Sequence, residues 1–382
     1  MDHVLKRLAC QLILLRASLF TFVIFITSNE AYSRYYDIYR SDYQKGAFCA
    51  LIGGACASDV NHENAYFQNP GSLTAGDSGI DLDGDYANDS NLEPGMKGTN
   101  DVEQVTYMAG ASRTGKSFGF GFAFSGRLMK VRSKATLSDD SGNTETLASK
   151  DRVNSAVFNV PLALKISNHL SIGVSVLSMY NSEQIQVDAA SKADSYNIDK
   201  LPPLAYSAGF IYDDKYFRFG SWMRSPLTFY SHQDIIVSSI TSTISISEDI
   251  ALNFPWLWAS GFSVLPWGDE RTFLFDIDII GPTKYGYQRT YDSFATVASD
   301  KGLRQKGRTT VVEPHFGFRT PLWLNSPASI LLGSYYETSR WEGLSGRIHG
   351  TSGIAIKAFG WVEGLVGIDV AKDYFSLQLT FR

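Results

Sequence analysis

From residue 78 to the C-terminus, apolar and polar positions alternate. Ile80, Leu82, Gly84 and Tyr86 fall on one side of an extended chain, and Asp81, Asp83 and Asp85 fall on the other. Leu170, Ile172, Val174 and Val176 alternate in the same way with Ser171, Gly173 and Ser175. Phe273, Phe275, Ile277 and Ile279 alternate with Leu274, Asp276, Asp278 and Ile280. Successive side chains of a strand point to opposite faces, so a period of two predicts strands, many with one apolar and one wetter face. Such segments occupy 78–87, 103–111, 117–131, 152–166, 170–186, 203–212 and 216–231. They continue with 251–265, 271–281, 309–321, 328–338, 351–359, 361–370 and 374–381. They number about fourteen, and the fold class they predict is all-β.

The connections alternate too. Short turns fall at 112–116, 167–169, 213–215 and 266–270, and long polar or mixed connections at 132–151, 187–202, 232–250, 282–308 and 339–350. Short turns on one rim and long loops on the other are the layout of a transmembrane antiparallel β-barrel of the bacterial outer membrane, with the short turns periplasmic. Counting up and down from residue 78 places the long loops outside and returns the C-terminus to the periplasm. The short last outer turn, 371–373, departs from that layout. Trp222, Trp256, Trp258, Trp267 and Trp361 lie in or beside strands, where an interfacial girdle wants aromatics, although ordinary packing accounts for any one of them. The last strand, Tyr374–Phe381, ends on an aromatic followed by Arg382, close to the terminal signal of such barrels.

One stretch invites a different reading. Gly110 to Ser117 matches the phosphate-loop spacing, with Gly115, Lys116 and Ser117 at its end. A phosphate loop has to open a helix, because free amides at the helix N-terminus hold the phosphate. Here Phe118, Phe120, Phe122 and Phe124 follow in strict alternation with Gly119, Gly121, Ala123 and Ser125. That is strand, not helix, so Lys116 is a turn residue and no nucleotide is expected.

The N-terminal region follows different rules. Lys6 and Arg7 precede an apolar stretch whose uninterrupted part is 17–27, and Ala31-Tyr32-Ser33 supplies small residues at a cleavage site. This is a secretory signal over residues 1–33. Arg16 leaves too little apolar length for a span of ~20 residues, and no later run reaches ~18. Export bears on the cysteines: Cys10 leaves with the signal, and Cys49 and Cys56 remain, able to close a small disulfide loop, the alternative being two buried thiols.

Composition adds 24 Phe, 20 Tyr, 7 Trp and 33 Gly, with a net charge of −5 and no basic cluster, which argues against a nucleic-acid partner. Asp81, Asp83 and Asp85 fail as a calcium loop of the helix–loop–helix kind, since the required glycine and glutamate positions hold Tyr86 and Leu92. They read instead as a wet, lumen-facing strand face, and no metal or cofactor is assigned. Gly76-Asp77-Ser78-Gly79 echoes a serine-protease segment without a histidine in the matching setting. His232 beside Asp234 is the one close His–Asp pair and reads as solvated loop. No enzyme is expected.

Three places resemble one family, the FadL-like outer-membrane channels for long-chain fatty acids and other hydrophobic compounds. Asn64 to Leu73, containing Asn69-Pro70-Gly71, looks like that family's Asn-Pro-Ala/Gly segment ahead of the first strand. Ala205 to Pro226 resembles its hairpin running from an Ala-Gly strand into one that carries Gly and then Arg-Ser-Pro. The order of turn-linked strand pairs, Tyr107 to Phe124 and Val157 to Tyr180, is also similar. The resemblance implies a fourteen-stranded barrel over 77–382 with an N-terminal segment, 34–76, folded inside as a hatch. It further implies a third strand that kinks inward and leaves a lateral gap, through which a hydrophobic ligand passes to outer-membrane lipid. The chain would act as a monomer and a passive channel, the alternatives being a water-filled porin or an adhesive surface barrel. Gly119 and Gly121 suit such a kink, because glycine weakens strand pairing and admits close approach. They equally suit making room for a packed hatch, and Pro161 is a rival kink site.

Overall fold

The computed structural model describes residues 46–381 apart from 61, 77, 90–100, 139–143, 188–190, 198–203, 239–242, 267–270, 283, 294–295, 307–308, 324–325, 339–345, 359–361 and 372–373. The signal segment, residues 34–45, Trp267, Trp361 and the side chains of His232 and Asp234 lie outside the described residues.

Two short helices, α1 (Ala47–Leu51) and α2 (His62–Phe67), and a 3-10 turn (Pro70–Thr74) precede the sheet. The first strands are β1 (Gly79–Asp89), β2 (Asp101–Thr114), β3 (Phe118–Ser138), β4 (Thr144–Lys165) and β5 (Leu170–Val187). Then come β6 (Ser191–Asn197), β7 (Leu204–Asp213), β8 (Phe217–Arg224), β9 (Leu227–Ser238), β10 (Thr243–Phe254) and β11 (Leu257–Val264). After these lie β12 (Thr272–Ile280), β13 (Lys284–Ser293), β14 (Thr296–Lys306), β15 (Val311–Pro321), β16 (Ala328–Glu337), β17 (Arg347–Ala358), β18 (Val362–Ala371) and β19 (Tyr374–Phe381). All the pairings are antiparallel, and β1 pairs with both β2 and β19, which closes the sheet on itself.

The segments make a closed barrel of 14 staves. Five staves are each built from two segments: β6 with β7, β8 with β9, β10 with β11, β12 with β13, and β14 with β15. The connections expected at 187–202, 232–250 and 282–308 therefore contain strand, and the apolar run around Ile235 and Ile236 pairs with β10 rather than standing as an open loop. Their mixed composition hides this, because strands beyond the bilayer have no lipid face to enforce alternation.

Proline marks the joints. Pairing of β8 with β11 ends at Arg224 and Leu257, and pairing of β9 with β10 resumes at Leu227 and Phe254. The same happens between β11–β12, ending at Leu257 and Ile280, and β10–β13, resuming at Asn253 and Lys284. Carrying these registers through sets Pro226 opposite Pro255, and Pro255 opposite Pro282. Proline has no amide hydrogen to give to a ladder, so three in line interrupt it at one height.

The outer surface fits a bilayer. Phe120, Phe122, Leu162, Ile172, Val174, Phe262, Phe273, Phe316 and Leu332 are all exposed, and serine, threonine, aspartate and glycine dominate the facing positions. Phenyl rings meet across strands, with centroids 4.9 Å apart for Phe124–Phe158, 4.9 Å for Phe275–Phe316 and 4.7 Å for Phe273–Phe318. A continuous apolar exterior of this extent has no place in water but is what a lipid-facing barrel wall requires. No helix among the described residues is long and apolar enough to cross a membrane. Trp256 and Trp258 face outward as a girdle would have them. Trp222 does not: it occupies an inward position of β8 and packs with Ala57, Leu257, Ala259, Ile280 and Val311.

Candidate functional site

Residues 46–76 run across the inside of the wall. Helix α1 has a single turn of apolar residues, and Phe48, Leu51 and Ile52 are fully or almost fully buried with Leu274, Leu331, Ala355 and Leu365 of the wall. Each such side chain contributes roughly 1.5–3 kcal/mol of apolar burial. The helix ends because Gly53 and Gly54 take φ of 66° and 74°, a left-handed region that a side chain would strain. Gly53 O accepts from His315 Nδ1 at 2.7 Å, and Gly53 N donates to Thr351 Oγ1, which in turn donates to Leu51 O at 2.8 Å. Cys49 and Cys56 are bonded across this turn, with Cα atoms 5.8 Å apart.

Further along, Ala57 N donates to Asp276 Oδ2, and Ser58 Oγ meets Ser263 Oγ at 2.6 Å. Asn69 then acts as a keystone. Its Nδ2 donates to Ala57 O (2.8 Å) and to Phe210 O on β7 (3.0 Å), and its Oδ1 accepts from Gly71 N (3.1 Å). Pro70 starts the 3-10 turn, where its fixed φ and missing N–H cost nothing. Gly71 lies so close to Phe210 that a methyl group there would meet the β7 backbone.

The wall answers with small inward residues. Gly173 on β5, Gly220 on β8, and Gly317 and Gly333 on β15 and β16 leave space that residues 52–57 and Pro70 fill. Gly119 and Gly121 belong to the same set: a side chain at Gly119 would press on Leu73 and Thr74, and one at Gly121 would press on Pro161 and approach Tyr66. Both glycines point inward, and Phe118, Phe120 and Phe122 point outward.

Strand β3 also shows a break. Phe120 pairs with Leu162 and Ala123 with Asn159, but Gly121 and Phe122 are unpaired with Pro161 and Val160 between them. Gly121 and Pro161 thus meet at one place, the Pro161 ring 3.1 Å from where a Gly121 side chain would begin. Helix α2 covers it from inside: Asn159 Nδ2 donates to Tyr66 O, and Tyr66 lies against Gly110. The phosphate-loop pattern dissolves in this setting, since Gly110 sits within β2 and Gly115–Ser117 forms the exposed turn to β3, closed by Gly115 N donating to Phe118 O (2.8 Å).

Asp81, Asp83 and Asp85 face inward opposite Gly110, Met108 and Thr106 of β2 respectively, while Ile80, Leu82 and Tyr86 are exposed. A second charged group was not foreseen. His349 on β17 is buried with Nδ1 2.9 Å from Asp369 Oδ1 and Nε2 3.0 Å from Glu337 Oε2. Arg347 Nε donates to Glu337 Oε2 at 2.6 Å, and Tyr335 Oη donates to Asp369 Oδ2 at 2.8 Å while its ring stacks on His349 at 4.2 Å. With both ring nitrogens held by carboxylates, His349 is a structural tie and not a poised base. Polar residues at inward strand positions were the one available sequence signal for His315, His349 and Asp276.

The disulfide closes a loop of under ten residues, for which chain entropy gives about 2.5 kcal/mol. Changing Cys49 and Cys56 to Ser is expected to lower protection of residues 46–76 against proteolysis in detergent, with barrel migration on gels unaltered. Wild-type resistance in the double variant would show that packing alone holds the segment.

No protein-family model matches this sequence, and no curated protein matches it. Solved structures do resemble it. The Pseudomonas putida toluene transporter TodX aligns with TM-score 0.65 at 12% identity, covering 88% of this chain and 97% of that one. The Ralstonia pickettii toluene transporter TbuX aligns with TM-score 0.60 at 12% identity over 88% and 96%. A Pseudomonas aeruginosa FadL homologue aligns with TM-score 0.56 at 12% identity over 88% and 97%. Closure at β1–β19, fourteen staves and an apolar exterior agree with these likenesses: this chain has the fold of the FadL-like outer-membrane channels.

Proposed function

We propose that this chain is an outer-membrane channel for passive uptake of hydrophobic small molecules, with residues 34–76 as its hatch and the β3–β4 seam as a lateral exit. The observation that carries this reading is the pair of missing rungs at Gly121–Phe122 and Val160–Pro161, directly over Tyr66. A hatch bonded around the inner wall blocks free water flow. A gap in the wall facing lipid lets an apolar solute leave without crossing the periplasmic end. The solved barrels it resembles include proteins described as toluene transporters and as a monoaromatic hydrocarbon channel. Long-chain fatty acids or similarly apolar compounds are the cargo class. A single chain suffices, and neither nucleotide, cofactor nor enzymatic step enters, because the gradient drives transport.

The inward aspartates of β1 favour a second reading, a water-filled porin, since charges lining a lumen tune ion selectivity. The two separate in proteoliposomes. Pro161→Val returns an amide donor to the seam, and Gly121→Val stiffens the facing strand. Regaining one rung at ~1 kcal/mol or more should cut uptake of labelled fatty acid or toluene roughly tenfold. Unchanged uptake in both variants would remove the seam from the pathway. Large steady ion conductance without uptake in the wild type would favour the porin.

A further inference from the structure

Asp83 and Asp85 have no part in that exit. Between α1 and the wall made by β1, β2, β3, β18 and β19 lies a cavity of about 70 Å³, whose polar lining includes Asp83, Asp85, Gln104, Thr106, Arg127 and Gln378. The register aligns three of these at one height: Asp85 stands opposite Thr106 on one side and opposite Gln378 on the other. Neighbouring strands lie about 4.8 Å apart, so three oxygen-bearing side chains converge on the cavity from adjacent strands. Thr106 and Gln378 are only 6% and 5% exposed, and among the described residues no hydrogen-bond partner reaches Thr106 Oγ1 or Gln378 Oε1. An oxygen buried without a partner costs ~1–3 kcal/mol. Beside these two, Asp85 accepts, among the described residues, only at Oδ1, from Ser376 Oγ.

We propose that this cavity binds one hydrated hard cation of the calcium class, through Asp85, Thr106 Oγ1 and Gln378 Oε1, with Asp83 and water completing the shell. Calcium takes six to eight oxygen ligands in flexible geometry, mixing carboxylate, neutral oxygen and water. At roughly 10–15 Å³ of such volume per water, the cavity has room for an ion and a few waters. The cavity's donors are carboxylate, amide and hydroxyl oxygens, a set that suits a hard, partly hydrated cation and not a transition metal. Arg127 sets the strength. It stands opposite Thr106 and donates to Gln104 Oε1, and its positive charge weakens the site. Asp369, also at the cavity, is tied to His349 and Tyr335 and adds little. The affinity expected is that of weak extracellular sites, about 10⁻⁴–10⁻³ M.

The test is calorimetric titration of calcium chloride into the full chain, refolded in detergent free of lipopolysaccharide and stripped with chelator. One saturable site in that range is expected. Gln378→Met and Asp85→Asn, each first shown to migrate as a heat-modifiable barrel, should weaken it at least ~10-fold. Thr106→Val, of nearly the same shape, replaces either variant if one fails to fold. No saturable binding by the wild type overturns the proposal. So does wild-type affinity in the folded variants, which would locate any calcium elsewhere on the protein.

Discussion

Replacing His349 with leucine is expected to be the most damaging single change in the wall, at about 3–5 kcal/mol. The substitution leaves two buried carboxylates, Glu337 and Asp369, facing a side chain that can donate nothing. Arg347 still holds Glu337 and Tyr335 still holds Asp369, which places the loss toward the lower end of that range. The barrel should unfold at lower urea in detergent micelles, read by the loss of its fast-migrating form on gels. His349→Gln, which keeps one donor, should recover part of the difference. An unchanged midpoint for the leucine variant would mean the two carboxylates are satisfied by other means.

Asn69→Ala should release the hatch and spare the wall. Three hydrogen bonds end at this one buried side chain, and two of them hold carbonyls with no other described donor in common, Ala57 O and Phe210 O. Losing them costs about 2–4 kcal/mol. Because the bonds tie one part of residues 46–76 to another and both to β7, amide exchange in that segment should accelerate at least ~30-fold. Exchange in β17–β19 should not change. Protection of the segment at wild-type levels would show that apolar packing around α1 and the disulfide already suffice.

The staves were legible in the sequence because lipid imposes a rule at every second residue, and a rule repeated along a strand needs no knowledge of partners. Asn69-Pro70-Gly71 was visible as a short contiguous motif resembling a family's segment. What Asn69 holds was not visible, since Phe210 lies 141 positions away. His315 meets Gly53 across 262 positions, and Thr351 meets Leu51 across 300. Such pairs are set by the closure of the barrel, which no local pattern encodes. The setting of Gly121 stayed open for a related reason: only the register of β3 against β4 brings it to Pro161. The strands beyond the prolines were missed because no lipid face enforces alternation there, so 232–250 and 282–308 read as connections. Segments 216–231 and 251–265 ran on through Pro226 and Pro255, where one strand in fact ends. The chain simply starts a new strand directly afterward.

Those three prolines divide the barrel into two hydrogen-bonded bodies. Below them, the staves share a closed ladder. Above them, β6, β9, β10, β13 and β14 bond among themselves and, through β6, to the continuous β5. At the line between, Gly281 N donating to Trp256 O bridges β11 and β12. A cooperative ladder transmits loss of order from rung to rung, and a row with few rungs weakens that coupling. The strands beyond the prolines can therefore fray, be cut or exchange contacts while the rest of the wall stays closed.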